Sequence, residues 1–315
     1  MIRILSFIDQ FYSVFMKFGI ITHAVHKIKG ELVYAYEPYV REMNLWAKHV
    51  DEIIILAPVV KRKIDSIESP YKHNKIKIVE ISSFDITSFK NFIKSIFIIP
   101  KICFQIYKLM KTVEHIHLRC PGNIGLLGAL IQVIFPSKSK TVKYAGNWDP
   151  KSKQPLSYRL QKWILSNSFL TKNCKVLVYG KWENQSKNIF PFFTASYSEN
   201  EIIEIESKNL KDKIKLLFVG NFSKGKQPIL SVKVAEKLIN NGYDIELYMY
   251  GNGIEFSNVK EYISNKKLHE SVFLHGNQPK EIVKKAFQES HFLIFISKSE
   301  GWPKVVAEAM FWSCL

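Results

Sequence analysis

Residues 292–310, FLIFISKSEGWPKVVAEAM, decide the fold of this chain. The apolar run Phe292–Ile296 predicts a buried strand, and Pro303 suits the first position of a following helix. Glu300 lies in the turn between these two elements, and Glu308 lies inside the helix, eight positions later. Ligands of open α/β sheets bind outside the carboxyl ends of the strands, so this segment predicts a ligand site that contains two carboxylates.

The same alternation of strand and helix extends along the rest of the chain, which predicts parallel sheets with helices on both faces. In the second half we expect strands at Lys215–Val219, Ile245–Tyr250, Val272–Leu274 and Phe292–Ile296, and helices at Ile229–Asn240, Val259–Asn265, Pro279–Ser290 and Pro303–Trp312. In the first half we expect strands at Ile2–Ile8, Ile53–Pro58, Ile76–Ile81, His115–Leu118, Thr141–Tyr144 and Val176–Tyr179, with helices that include Tyr36–Val50 and Ser157–Asn167.

Two domains fit a chain of 315 residues. The polar, charged stretch 198–213 has little apolar periodicity and is the expected linker. We therefore expect two α/β domains, over residues 1–197 and residues 214–315.

The turns after the predicted strands of the second half contain glycines. Gly220 is followed by Lys224 and Lys226 before a helix begins, and the next strand runs into Gly251-Asn252-Gly253. Glycine lets a backbone approach a ligand closely, and a helix N-terminus offers free N–H groups to an anion. Each turn alone fits an ordinary strand-to-helix connection equally well, and the spacing of a P-loop is absent. Together they favour a ligand cleft at one sheet edge.

Charge is uneven along the chain, whose net charge is +17. Residues 1–197 carry 29 Lys and Arg against 13 Asp and Glu, whereas residues 198–315 carry 16 against 15. The first half either has a solubilising basic surface or faces an anionic partner, such as a membrane leaflet or a lipid diphosphate. A nucleic-acid partner is not expected, because no recognition motif is present and the two glutamates oppose it.

A helical pattern from Phe89 to Met110 also has two interpretations. It is expected to be interrupted at Pro100, and it either packs against the core or lies as a basic, aromatic surface on a bilayer. No apolar run approaches the roughly 18 residues of a membrane span. Cys103, Cys120, Cys174 and Cys314 are scattered without a CxxC spacing, which argues against zinc or disulfides and fits a reducing cytosol. We expect a cytoplasmic protein, peripheral on the inner face of the cytoplasmic membrane if the charge serves a bilayer.

Residues 214–315 resemble the donor-binding domain of retaining GT-B glycosyltransferases of the family 4, group 1 type, which includes many bacterial polysaccharide and lipopolysaccharide enzymes. The resemblance rests on Val219-Gly220 with Lys226, on the Gly251-Asn252-Gly253 turn, and most specifically on Glu300-Gly301-Trp302-Pro303 with Glu308. It implies an α/β, GT-B-like fold in which two Rossmann-like domains face a cleft. Residues 1–197 would form the N-terminal acceptor-side domain, and residues 214–315 the C-terminal nucleotide-sugar donor-binding domain. Because the family's donor domain has further strands and a terminal helix, it also implies that the second domain is incomplete at its C-terminus.

The resemblance assigns roles to single residues. Lys226 matches the lysine that neutralises the donor diphosphate and Glu300 the glutamate near the donor sugar, so these two are the expected catalytic residues. Glu308 matches the glutamate that holds the nucleotide ribose. Asn221 stands where the family usually has an arginine, and Lys224 is the expected substitute. The remaining expected donor-binding residues are Gly220, Gly251, Gly253, Gly301 and Trp302. On the acceptor side we expect Arg119, Gly146 and Asn147. Many members of the family have a histidine in the turn that matches Gly146-Asn147, and this turn contains no histidine here.

The implied activity is that of a retaining hexosyltransferase, which moves a sugar from a nucleoside-diphosphate sugar to a polysaccharide or lipid-linked glycan acceptor. No cofactor and no metal are expected, and the one near-DxD sequence, Asp244-Ile245-Glu246, lies in a predicted strand. The expected partners are the nucleotide-sugar donor, the glycan or lipid-linked acceptor and an anionic membrane surface. One alternative is a truncated, inactive or donor-binding-only remnant, since the chain stops seven residues after Glu308. A nucleotide-sugar epimerase is the other, although its acid and base carboxylates have no evident counterparts.

Overall fold

A computed structural model describes residues 15–82, 89–205, 208–210 and 213–315, with only the backbone described for residues 89–96. The chain divides into two compact units, residues 1–193 and 194–315. Residues 194–213, which include the segment expected as a linker, fall within the second unit. The strand expected at Ile2–Ile8 lies outside the described residues.

The first unit is built on a parallel sheet of seven strands. Its elements in chain order are β1 (Lys17–Ile21), β2 (Lys27–Lys29), β3 (Leu32–Tyr36), α1 (Glu37–Ala47), β4 (Glu52–Pro58), β5 (Glu68–Pro70), β6 (Ile76–Ile81), α2 (Phe89–Thr112), β7 (His115–Cys120), α3 (Asn123–Ile131), β8 (Ser139–Tyr144), α4 (Leu156–Ser166), β9 (Cys174–Val178) and β10 (Ile189–Pro191). The strand order is β10-β9-β8-β7-β1-β4-β6, so the connections leave β1 and β7 in opposite directions. In open α/β sheets such a switch point is where ligands bind.

Helices cover both faces of this sheet, as is usual for parallel sheets, and β4 shows the longest apolar run among its strands. On one face α1 packs its Tyr39, Val40 and Met43 against alternate residues of β1 and β4. On the other face α2, α3 and α4 cover the strands, with Ile106, Ile124 and Ile164 in one shared core.

Two features of the first unit differ from expectation. Helix α2 runs unbroken through Pro100, so the predicted interruption is wrong. A proline removes one backbone hydrogen bond, but Ile102, Ile106 and Met110 are buried against the sheet, and this tertiary packing holds the helix together. A small antiparallel sheet of β2, β3 and β5 was also not predicted, because its strands are short and β5 pairs with β3 from a distant part of the chain.

The second unit has a parallel sheet of four strands in the order β13-β12-β11-β14. Its elements are β11 (Ile214–Val219), α5 (Pro228–Asn240), β12 (Ile245–Tyr250), α6 (Phe256–Asn265), β13 (Val272–Gly276), α7 (Lys280–Glu289), β14 (Phe292–Leu293) and α8 (Lys304–Phe311). All four predicted strand–helix pairs are present, and β14 ends three residues before the predicted boundary. The fold prediction of mixed α/β units with parallel sheets is confirmed. In the part of the chain that the structure describes, we find no helix with the length and apolar character needed to cross a membrane.

Candidate functional site

The carboxyl ends of β11, β12 and β13 lie level with one another, because Val219 pairs with Tyr250 and Tyr250 pairs with Gly276. The glycine turns that were singled out in the sequence therefore meet at one edge of the second unit. The Gly220 N–H donates to Tyr250 O at 3.0 Å, and the Gly251 N–H donates to Gly276 O at 2.8 Å. The predicted ligand edge of this sheet is thus a continuous row of backbone turns.

Gly251 and Gly253 are required by a close contact between two of these turns. Gly251 has a φ of +129°, and a Cβ built on it would lie 1.9 Å from Gly220 O. A Cβ on Gly253 would lie 2.6 Å from Phe222 O. By contrast, the nearest side-chain atom to a Cβ on Gly220 is 3.9 Å away, so the structure leaves room for a side chain there. The two glycines therefore shape the ligand edge by letting two backbones touch.

The two expected catalytic residues form an ion pair. Lys226 Nζ lies 2.5 Å from Glu300 Oε1, and the Ser297 hydroxyl donates to the same carboxylate oxygen. Their loops are also joined through the backbone, since the Lys298 N–H donates to Gly225 O at 2.9 Å. Both charged side chains are partly exposed, so the pair itself contributes little to stability. It does hold an ammonium and a carboxylate side by side where a ligand can reach them.

The amino end of α5 follows directly on Lys226. Gln227 adopts a left-handed backbone with a φ of +52°, and Pro228 occupies the first turn of the 13-residue helix. Free N–H groups at a helix N-terminus favour an anion. Lys224 and Asn221 are exposed in the same turn. A phosphate at this point would meet one lysine already in position and a second within the loop.

Glu308 lies in the second turn of α8 and accepts a hydrogen bond from the Ser196 hydroxyl. Two residues upstream of that serine, Thr194 O accepts the indole N–H of Trp302 at 3.1 Å. The segment 194–197 is therefore tied to Trp302 and Glu308, two of the expected donor-binding residues. Pro303 was expected at the first position of this helix, but α8 begins at Lys304 and Pro303 is the residue just before it.

Tyr197 anchors this segment. Its ring stacks on Phe311 with centroids 5.4 Å apart, and Lys280 Nζ lies 4.6 Å from its centroid. Burial raises the pKa of the Tyr197 hydroxyl to about 12. No pattern in the sequence indicated that Ser196 reaches Glu308, because the two residues are 112 positions apart.

An aromatic stack borders the same edge at β12 and β13. The centroid of the His275 ring lies 4.7 Å from that of Tyr250 and 5.8 Å from that of Tyr248, and the His275 ring is nearly parallel to both. Burial lowers the pKa of His275, which favours its neutral, stacking form. The exposed part of this stack offers a flat surface beside the glycine turns.

In the first unit the residues expected on the acceptor side lie at the carboxyl ends of the neighbouring strands β7 and β8. The Arg119 guanidinium lies 4.7 Å from the centroid of the Tyr39 ring. Gly146 follows β8, and a Cβ on it would lie 2.9 Å from Cγ of Pro121. Asn147 accepts the N–H of Asp149 at 2.9 Å through its side chain. The structure thus brings Arg119 and the Gly146 turn to one edge of this sheet.

The same edge holds a histidine that the sequence reasoning missed. His23 follows β1, and a Cβ on Gly122 would lie 3.0 Å from its Nδ1. Burial and the charge of Arg119 lower its pKa. His23 and Arg119 therefore flank the switch point between β1 and β7. The first strand had been expected at Ile2–Ile8, so nothing marked His23 as the end of a strand.

The comparison with protein families gives the decisive observation for the second unit. A model of the glycosyl transferases group 1 family matches residues 199–314, the range that holds β11 to α8 and the Lys226–Glu300 pair. The second unit belongs to the group 1 glycosyltransferases. The resemblance inferred from the two glutamates is thereby confirmed at the level of the family.

Solved structures extend the likeness to the fold of the whole chain. The apo form of the lipopolysaccharide outer core galactosyltransferase WaaB is 16% identical, with a TM-score of 0.57 over 95% of this chain and 79% of WaaB. HepE from Anabaena, solved with UDP and glucose, is 11% identical, with a TM-score of 0.59 over 95% of this chain and 79% of HepE. The chain has the GT-B fold of these glycosyltransferases.

The match to other structures is shorter. The chain spans 43% of the length of TarM from S. aureus, at 18% identity and a TM-score of 0.48 over 68% of this chain. No curated protein sequence matches the chain.

Proposed function

We propose that this protein is a glycosyltransferase that moves a sugar of the hexose type from a nucleoside-diphosphate sugar to a polysaccharide or lipid-linked glycan acceptor, with retention of configuration. The observation that carries the proposal is the Lys226–Glu300 pair at the carboxyl edge of a sheet that the group 1 family model matches, with Glu308 in the helix that follows Glu300. The UDP and glucose held by HepE support a nucleotide sugar as the donor class.

The diphosphate is the group for which Lys226 and the start of α5 are suited. When the bond between the sugar C1 and the diphosphate oxygen breaks, negative charge grows on that oxygen. The Lys226 ammonium and the positive amino end of the α5 dipole stabilise this charge. The acceptor oxygen bonds to C1 on the face that the diphosphate leaves, and the acceptor proton passes to the departing phosphate oxygen.

Glu308 and Glu300 have separate roles in this proposal. Carboxylates accept hydrogen bonds from sugar hydroxyls, and two of them eight residues apart can hold a ribose and a hexose. Donor binding then has to compete with the hydrogen bonds that the structure shows, from Ser196 to Glu308 and from Lys226 to Glu300. We propose that the ribose hydroxyls replace the first, and that the donor phosphate shares Lys226 with Glu300.

Several parts of the proposal concern partners. We propose Arg119, Gly146 and Asn147 for the acceptor side, and the position of His23 beside Arg119 adds it to that group. Transfer is proposed to need no metal and no cofactor. The cytoplasmic location stays a prediction.

Turnover of nucleotide sugars tests the proposal. The purified chain is incubated with UDP- and GDP-hexoses and a lipid-linked glycan extract, and the anomeric configuration of the product is read by NMR. We expect a product with the configuration of the donor, unaffected by EDTA, and a loss of turnover of about 100-fold or more in Glu300→Gln with nucleotide binding kept. Nucleotide binding without any transfer or donor hydrolysis would instead support the donor-binding-only alternative, and an inverted product would refute retention.

A further inference from the structure

Three helices of the first unit share one outward surface. Helix α3 packs against both α2 and α4, and all three bury residues in the core on the same side of the seven-stranded sheet. Helix α1 lies on the opposite side. The outward sides of α2, α3 and α4, with the residues that directly follow α3 and α4, are called here the three-helix face.

The three-helix face exposes large apolar side chains in an ordered pattern. On α4, Leu156, Leu160 and Trp163 are spaced by four and three residues and so form a single stripe, in which Leu156 is 78% and Trp163 59% exposed. On α2, Phe97 is 80% and Phe104 66% exposed. Further exposed apolar residues follow at the ends of the helices: Leu130, Ile134 and Phe169. Contiguous apolar surface of this kind marks an interaction site rather than a solvated face.

The charge of the face is of one sign. Helices α2, α3 and α4 contain no acidic residue, and Arg159 on α4 and Lys172 just after it are exposed. On α2 the exposed positions Lys101, Lys108 and Lys111 continue the stripe of Phe97 and Phe104 at the same helical spacing. The face thus interleaves aromatic rings with ammonium groups.

This combination selects one class of partner. A second copy of the chain would bring two strongly basic surfaces together, which Coulomb repulsion opposes. A nucleic acid would use the lysines but leave the stripe of Leu156, Leu160 and Trp163 without apolar contacts. An anionic lipid surface satisfies both features, because amphipathic helices with basic residues and Trp, Phe and Leu lie in the headgroup region of such bilayers.

We propose that the three-helix face docks on an anionic bilayer, with Leu156, Leu160 and Trp163 entering the boundary between headgroups and acyl chains while the α2 lysines contact lipid phosphates. This interaction surface belongs to the first unit and does not depend on the donor site. It would bring the chain to the surface where a lipid-linked acceptor resides.

Vesicle co-sedimentation tests the proposal with the full chain and no nucleotide. Vesicles of phosphatidylglycerol mixed with phosphatidylcholine are compared with pure phosphatidylcholine at low and at physiological salt. We expect binding to the anionic vesicles that weakens as salt increases. Leu156→Ser with Trp163→Ser should lower the partition coefficient about tenfold or more, since the inserted apolar area is lost. Lys101→Gln with Lys108→Gln should lower it about 25-fold on anionic vesicles, at about fivefold for each lysine.

The matched control is Val234→Ser with Ile282→Ser, which removes two exposed apolar side chains of α5 and α7 in the second unit. It should bind vesicles as the wild type does. All variants should melt within a degree or two of the wild type, because every changed side chain is exposed.

Three results would overturn the proposal. One is a wild-type chain that stays in the supernatant with anionic vesicles at low salt. Another is an apolar variant that partitions no worse than its control. The third is self-association or oligonucleotide binding that is lost in the same apolar variant, which would assign the face to a different partner. A nucleotide thermal shift on the same samples reports the donor site independently, so the two proposals can fail separately.

Discussion

Gly251→Ala is a substitution whose cost can be worked directly from the structure. A Cβ at this position would lie 1.9 Å from Gly220 O and 2.9 Å from the Gly220 carbonyl carbon, at a φ of +129°. The contact is with backbone and not with a flexible side chain, so the turns after β11 and β12 must separate. We expect that movement to break the hydrogen bonds from Gly220 to Tyr250 and from Gly251 to Gly276.

The magnitude follows from these parts. Backbone strain at such a φ costs about 1–3 kcal/mol, and each lost hydrogen bond costs about 1 kcal/mol. The free energy of opening of the second unit should therefore fall by about 3–5 kcal/mol. Gly242→Ala is the matched control, because Gly242 has a φ of +89° but nothing within 4 Å of a built Cβ. Gly242→Ala should be destabilised by the backbone strain but keep its hydrogen bonds, so the free energy of opening should differ by about 2 kcal/mol between the two variants.

Hydrogen exchange of the β11 and β12 amides measures this opening within the second unit alone. Nucleotide binding, followed in parallel, should be lost in Gly251→Ala and kept in Gly242→Ala. Equal destabilisation by the two substitutions would refute the reasoning that the contact between the turns requires a glycine.

Three further predictions concern stability and donor affinity. Burial lowers the pKa of His26 to about 4 and that of His117 well below its usual range, so both side chains are neutral in the folded protein. The unfolded chain binds these protons at a pKa of about 6.5, so the free energy of unfolding is highest above that pH and falls as the pH is lowered toward 4, by about 3 kcal/mol for His26. Unfolding of the first unit measured across this pH range checks the prediction. Lys208 donates hydrogen bonds to Ser290 O, just after α7, and to Ser313 O, just after α8. Urea unfolding should therefore show that Lys208→Met destabilises the second unit by about 2 kcal/mol. The control Lys285→Met, on the exposed side of α7, should cost under about 0.5 kcal/mol. Ser196→Ala removes the hydrogen bond to Glu308 that the ribose hydroxyls are proposed to replace. Calorimetry should therefore find the nucleotide bound about 2–10 times more tightly by this variant. Weaker binding would contradict the proposal that Ser196 and the ribose compete for Glu308.

Strands β11 and β12 of the second unit were predictable because each is an apolar run that is followed directly by a glycine, Gly220 or Gly251. Ile245–Tyr250 coincides with β12, and Pro228 and Asn240 bound α5 within one residue of the prediction. The pair of Lys226 and Glu300 was expected at one edge, because carboxyl ends of parallel strands converge there. Local pattern and topology act together in this unit.

Other features depend on contacts that no local pattern encodes. Strand β1 at Lys17–Ile21 includes Gly19, which weakens the apolar signal, although Gly19 allows the close approach of Val113. The hydrogen bond from Ser196 to Glu308 joins distant positions of the chain. Helix α2 continues through Pro100 because the sheet packs against it. In each case tertiary packing outweighs a local preference.

Calorimetric titration with UDP, GDP, ADP and CMP is the most direct test that the second unit is a nucleotide-sugar donor site. The chain, Glu308→Gln and Glu270→Gln are compared, the last as a control with an exposed carboxylate just before the amino end of β13. We predict that one nucleotide binds the wild type and the control alike, and binds Glu308→Gln about 10–100 times more weakly, as loss of a charged hydrogen bond implies. Folded protein that binds none of the four, or a Glu308→Gln variant with unchanged affinity, would contradict the account.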